Sequence, residues 1–508
     1  MNELKREQWT GGELLVCALL ELLIVHIAYK IDRHKTAPLL STAAWAIVLG
    51  VGFGLMLSSI SKARATDIGL DPQILFFGLL PLIVLEAGFS TQHRGFFANL
   101  WDVFLLGVVG TVASSILTGA LIYWLGQTTW LTVSFTPAES MLYGALISAI
   151  DPIATQLVLR KSHVPPLIPE LIFGERSLNN AITIAIFNLC QIRVQNDDTQ
   201  MSALNALSLL AELIGIGAGS LALAAVVGYS SAYLLRRSDD VLRQHQAYEI
   251  CTLLLFAYAS YLAGEFFQLS GHLAVFFSGA FIRHYHLYNI SRASATTFKN
   301  LLPTFSFLAE NFLFIYLGVS LFAYSDTFEW DWNFTLVSFG VCLVTRALVV
   351  FPLMYISNLW RQRPIPFKYV VVIWFSGLRG AVAFALSLNV KSTADSSHHA
   401  AIMRSSTIFT VITTTILFTM ATRPLLYLLG LSHTCREHAR DRLHSNCSHD
   451  SRESENSPLL SASSEEEAAW IRDTWNEFDE RHLQPHFGGS TTPHPAINEE
   501  SCPNIENP

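Results

Sequence analysis

Leu146-Ile-Ser-Ala-Ile-Asp-Pro-Ile-Ala154 and Leu171-Ile-Phe-Gly-Glu-Arg-Ser-Leu-Asn-Asn-Ala-Ile-Thr-Ile184 decide the reading of this chain. Each is an apolar run interrupted by charge: Asp151 in the first, Glu175 in the second. A charge in a membrane-length segment costs a few kcal/mol, so it persists only where it is paired, faces water or binds something. Function is to be sought in this pair of segments.

The flanking sequence says that the solvent is lipid. Half the residues are hydrophobic (51%) and only 14% are charged, too few to cover a soluble protein of this length. Apolar runs of about 20 residues recur from Leu14 to Leu429, and each can span a hydrocarbon core of about 30 Å. They predict an all-α polytopic membrane protein with about 13 transmembrane helices. The first run reads as a span rather than a cleaved signal, because Glu3, Glu7 and Glu13 precede it and no small-residue cleavage site follows. Lys and Arg concentrate in alternate loops (Lys30–Lys35, Arg160 and Lys161, Arg236–Arg243, Arg361–Lys368), which places those loops in the cytosol. The mildly acidic net charge of −8 carries no nucleic-acid footprint. The seven cysteines form no CxxC, so no metal site or disulfide framework is expected. No nucleophile motif such as G-x-S-x-G occurs and no pore-loop filter, which disfavours an enzyme and a channel.

The organisation divides at Leu431. Residues 1–431 form the transmembrane domain, and 432–508 a polar cytosolic tail too poor in apolar residues to build a core. A helical pattern near 464–480 places Trp470, Ile471, Trp475 and Phe478 on one face, suited to docking on the membrane domain or to binding a cytosolic protein. Tail histidines permit pH sensing, although solvated loop histidines are the simpler reading.

Two spans are broken. Pro152 follows Asp151, deleting a backbone donor and disfavouring helix at the residue before it. Phe375-Ser-Gly-Leu-Arg-Gly380 interrupts a later run with two glycines and an arginine. These are spans 5 and 12. They become equivalent if the chain holds two inverted repeats with crossed discontinuous helices, the arrangement that marks a transporter site at the membrane midplane. Arg379 then neutralises exposed carbonyl ends, and two roles stay open for Asp151: neutralising exposed N–H ends and facing the ion. Of the other intramembrane charges, Glu86 and Glu265 read as interfacial and Glu310 as mid-span. Arg346 needs a partner, which Glu175 can supply. Arg176 reads as snorkelling to a cytosolic end. His272, after Ser270-Gly271, reads as an interfacial polar cap.

Together these segments resemble the sodium/proton exchanger family, especially its organellar and endosomal branch. The resemblance is carried by Phe76-Phe-Gly-Leu-Leu-Pro-Leu-Ile-Val-Leu-Glu-Ala-Gly-Phe89, Ile147–Ala154, Phe173–Ala181, Leu269–Ala274, Glu310–Gly318 and Ser376–Phe384, in family order. In the tail, Phe478–Gly489 looks like the closing motif of organellar members, and Glu455-Asn-Ser-Pro-Leu-Leu460 has the spacing of an acidic dileucine sorting signal at Glu455, Leu459 and Leu460. The resemblance implies a homodimer in lipid, with a scaffold and a mobile core domain, in an endomembrane or the plasma membrane. It implies exchange of Na⁺ or K⁺ for H⁺ with no cofactor. It marks Asp151, Thr155, Asn179 and Asn180 as candidate ion ligands and Glu175–Arg346 as a buried pair.

One departure matters. The family carries Asn-Asp in the sixth span, with the Asp as carrier, and here the pair is Asn179-Asn180. An amide can coordinate a cation through oxygen but cannot release a proton. Three readings stay open. A neighbour takes over, Asp151 first and Glu175 next. Or the chain has lost exchange and acts as a membrane sensor or scaffold through its tail. Or the letter is an error in the sequence.

Overall fold

The computed structural model describes residues 11–34, 40–60, 75–91, 99–128, 130–162, 164–165, 167–195, 203–237, 242, 245–323, 328–361, 364–377, 379–391, 397–431 and 478–487. Their regular secondary structure is all helix, joined by turns and loops, without a strand among the described residues. A helix satisfies its backbone within one segment, which lipid demands. Among the described residues, seven helices are long and apolar enough to cross a membrane. The expected sorting signal at Glu455, Leu459 and Leu460, and most of the helical pattern near 464–480, lie outside the described residues.

The chain forms two compact units. The first comprises Met1–Gly78, Arg94–Leu210 and Leu308–Ala468. The second comprises Leu79–His93, Ala211–Phe307 and Ala469–Pro508.

In the first unit both expected interruptions are present. One rod runs Pro137–Ser148 and resumes at Ile153–Lys161; the other runs Phe367–Phe375 and resumes at Ala381–Leu388. Thr136 starts the first rod with a capping box: its hydroxyl accepts from Glu139 N–H, and Glu139 accepts from Thr136 N–H at 2.9 Å. Pro137 follows, where its missing donor costs nothing. Gly144 lets this rod touch the backbone of Leu100–Gly126, since a Cβ there would stand 2.7 Å from Gly119 N. Close contact of small residues is how helices associate when lipid removes the hydrophobic drive between them.

In the second unit the same device joins Leu80–Ser90 to Gly271–Phe281, where a Cβ on Gly88 would lie 2.8 Å from the Phe276 carbonyl carbon. Part of the tail belongs to this unit. Residues 478–487 form one short helical stretch, and Asp479 is buried in it. Asp479 accepts from Tyr285 Oη at 2.6 Å, sits 2.9 Å from His284 Nε2 and accepts from Gln484 Nε2 at 2.8 Å. Arg236 donates to Gln484 O and Asn289 to Phe487 O, both at 2.6 Å.

Candidate ion-binding site

The breaks are built from residues that leave the helix and side chains that replace the lost backbone bonds. At the first, Ala149 turns extended (φ −60°, ψ 122°) and Pro152 opens the next segment. Ile150 N–H has no helical acceptor, so Asn179 Oδ1 accepts it at 2.7 Å. Asn179 Nδ2 donates to Thr111 Oγ1 at 2.7 Å and to Ser148 O at 3.2 Å. The Asn179 amide is therefore engaged at both ends in holding the break together. At the second break, Arg379 N–H donates to Thr414 Oγ1 at 3.2 Å, and Arg379 O accepts from Thr415 Oγ1 at 3.3 Å. Ile373 O accepts from Ser376 Oγ at 2.8 Å and from Arg346 Nη2 at 3.2 Å.

The two breaks meet. Arg379 Nη1 donates to Ser148 O, the freed carbonyl of the first rod, at 3.2 Å, while its Nε lies 3.1 Å from Cys342 Sγ. Asp151 packs on Gly380, which caps Ala381–Leu388. A Cβ at 380 would stand 2.6 Å from Asp151 Cγ, so only glycine lets the carboxylate approach this helix N-terminus. A carboxylate there is favoured by the amide dipoles.

Charge is concentrated around this junction. Arg346 makes a bidentate ion pair with Glu175, Nη1 to Oε1 and Nη2 to Oε2, the latter at 2.9 Å. A Cβ at Gly377 would lie 3.1 Å from Arg346 Cδ, so the arginine also lies along the second break. Asp151 is buried (6% exposed), and its Oδ1 has no hydrogen-bond partner among the described residues. Asn180 is buried too, and its Oδ1 is likewise without a hydrogen-bond partner among them. Thr155 is buried, and its hydroxyl donates to Pro152 O at 2.9 Å.

Two expectations are corrected. Arg176 does not snorkel: its side chain is 11% exposed, its Nε lies 3.2 Å from Asp151 Oδ1, and its Nη2 pairs with Glu310. Two acids within reach hold the guanidinium inside the packing. His272 is not an interfacial cap. Its side chain is fully buried with its ring edge-on to Tyr261, and Ser270 caps the helix by accepting from Leu273 N–H. A hydroxyl one residue before the helix meets the free N–H groups, whereas the imidazole at the second helical position points into the packing.

In the first unit the structure brings Asp151 and Glu310 together on Arg176, pairs Glu175 with Arg346, and joins Arg379 and Asn179 at Ser148 O. Glu86 and Glu265 belong to the second unit: Glu86 accepts from Ser90 Oγ at 2.6 Å and Glu265 from Gly271 N–H at 3.2 Å. Sequence reasoning missed Arg176 as a member of the site. The signal was available, because Arg176 precedes Asn180 by four residues and so shares its helix face. It also missed Asp102, which is buried with Arg361 and Ser357; no spacing pointed to that cluster.

Comparison with known proteins agrees with this geometry. The family described as sodium/hydrogen exchanger, transmembrane, matches residues 22–428. Among curated relatives, human sodium/hydrogen exchanger 8 is 31% identical over 453 residues, covering 87% of this chain and 75% of its own. Sodium/hydrogen exchanger 1 of Arabidopsis thaliana is 35% identical over 402 residues, covering 76% of this chain and 73% of its own. The sodium proton antiporter MjNhaP1 from Methanocaldococcus jannaschii has the same fold, with TM-score 0.62 and 19% identity over 83% of this chain and 97% of that one. Matched over most of its length by the family profile and by relatives of this identity, the chain belongs to the sodium/hydrogen exchanger family.

Proposed function

We propose that the protein is a secondary active antiporter that exchanges Na⁺ or K⁺ for H⁺ by alternating access, with Asp151 as the coupling acid. The observation that carries this reading is the Asp151 carboxylate, buried where two broken helices meet, with Oδ1 outside any hydrogen bond among the described residues. A carboxylate binds a proton or a cation and not both, because a bound cation disfavours protonation. Asn180 cannot take a proton, and Glu175 is held in a bidentate pair. Glu310 is hydrogen-bonded by Arg176, which leaves Asp151 as the acid at the junction, with Asn180 Oδ1 as a neutral oxygen for a dehydrated cation. Asn179, Arg379, Arg346 and Glu175 keep the unwound backbone satisfied, so the site stays rigid while it carries its load.

The sensor-only alternative raised by Asn180 is not favoured, since the relatives bear exchanger names. On the same reading the protein works as a homodimer in an endomembrane, with residues 432–508 in the cytosol as a regulatory and sorting tail. The organellar character of Phe478–Gly489 and the dileucine spacing at Glu455–Leu460 support that location.

The test is proton flux in liposomes holding the full chain under a pH gradient. Cation addition should dissipate the gradient in the wild type, and Asp151→Asn should abolish the response. A wild type that moves no protons on cation addition, while Asn180→Asp does, refutes the proposal.

A further inference from the structure

Arg176 stands between two acids. Its Nη2 donates a hydrogen bond to Glu310 Oε1, while its Nε meets Asp151 Oδ1 at 3.2 Å without hydrogen-bond alignment. All three side chains are largely buried, at 11%, 13% and 3% exposure. The anchoring is unequal. Charge-assisted, aligned hydrogen bonds are the strong ones, so the Glu310 contact is the firm one and the Asp151 contact the one that can be given up.

The geometry points to Arg176 as a tethered internal cation that competes with the transported cation for Asp151, while Glu310 retains the guanidinium when Asp151 is loaded. The proposal rests on the exchange reading above and extends it to what sets cation affinity and working pH. The charges balance. With a metal ion on Asp151, two carboxylates meet one guanidinium and one ion, and the sum is zero. With a proton on the Asp151 carboxylate, a neutral acid sits beside the Arg176–Glu310 pair, and the sum is again zero. Arg176 without Glu310 would leave both loaded forms at +1 inside the membrane. In the empty form the guanidinium lies against Asp151, where an incoming cation must displace it. Other charged groups on the elements packed here have their own contacts: Glu175 with Arg346, Asp102 with Arg361, Glu139 with His399, and Arg379 with Ser148 O. Asn179 and Asn180 are neutral.

The experiment measures cation-driven proton flux by the reconstituted full chain across pH and cation concentration. Arg176→Ser should lower the alkaline-limit KM for the cation by about tenfold or more and move the pH profile up by about one unit or more, the size of effect an adjacent opposite charge has on a carboxylate. Arg176→Lys keeps the charge and should stay near the wild type. Glu310→Gln should raise KM by about tenfold, because the guanidinium then loses its ion pair with Glu310 and is drawn more strongly to Asp151. Arg176→Ser combined with Glu310→Gln should return KM close to that of Arg176→Ser, a rescue that a merely structural Glu310 would not give. Unchanged KM and pH profile in Arg176→Ser overturn the proposal, as do equal shifts in the Ser and Lys variants, or a double variant no better than Glu310→Gln. Should Asp151→Asn exchange as the wild type does, the exchange reading itself fails, whatever the Arg176 variants do.

Discussion

Replacing Gly380 by alanine will cripple exchange while leaving the protein folded. The added methyl would stand 2.6 Å from Asp151 Cγ and nearer still to its Cβ. Carbon atoms rest at about 3.5–4.0 Å, so one partner must retreat by about an ångström. The backbone at 380 is extended (φ −135°, ψ −159°), a conformation alanine adopts freely, so the effect is contact alone. Neither side yields easily. Arg379 is tied through its N–H and its carbonyl to Thr414 and Thr415, and Asp151 directly follows the Ser148–Ile150 stretch that Asn179 holds. Overpacking of this kind costs about 1–3 kcal/mol, which a membrane protein of this size survives. A reacting group displaced by about 1 Å loses on the order of 100-fold in rate. The assay pairs proton flux in liposomes with thermal unfolding in detergent. Gly340→Ala is the control, since nothing lies within 4 Å of a Cβ there. Wild-type flux in Gly380→Ala, or equal loss in Gly340→Ala, would refute the reasoning.

Two further outcomes follow from paired charges. Glu175→Gln strands the Arg346 guanidinium in the interior and should cost about 3–5 kcal/mol of stability, read as a lowered unfolding temperature; Glu175→Gln with Arg346→Met should recover part of it, and a double variant as unstable as the single would argue against the pair. In the tail, burial pushes the Asp479 carboxyl up, but hydrogen bonds from His284, Tyr285 and Gln484 outweigh it and hold the group below its ordinary value. Docking of 478–487 is therefore strengthened above the range in which a free Asp titrates, and this part is lost as pH falls below about 4. Asp479→Asn should weaken docking by about 1.5–3 kcal/mol at neutral pH, seen as faster amide exchange across 478–487; unchanged exchange rates would contradict it.

Much of the site was legible because its signals are local. Pro152 after Asp151 and the glycines flanking Arg379 mark helix breaks wherever they stand, and the structure breaks the helices at those residues. The carbonyl on which Arg379 acts was not legible. It belongs to Ser148, 231 positions away. Arg176 was misread for a related reason: an arginine near a span end ordinarily reaches for the interface, and nothing in its own segment discloses the acids it finds instead. His272 was misread because its neighbours in sequence are polar and small, while its neighbours in space include Tyr261.

The sequence by itself determined that this chain lives in lipid, that its elements are helices and that two of them cannot run unbroken. Those properties follow from hydrophobic length and backbone chemistry, which act over about 20 residues. The tertiary structure alone decided which charge meets which. Arg346 could have served several acids, and its bidentate pairing with Glu175 spans 171 positions. Arg176 could have turned to water, yet it bridges Asp151 and Glu310, the latter 134 positions away. In a low-dielectric interior an uncompensated charge is too costly to keep, so the fold is held to the arrangement that pairs these charges, and only the packing of distant helices specifies the pairs.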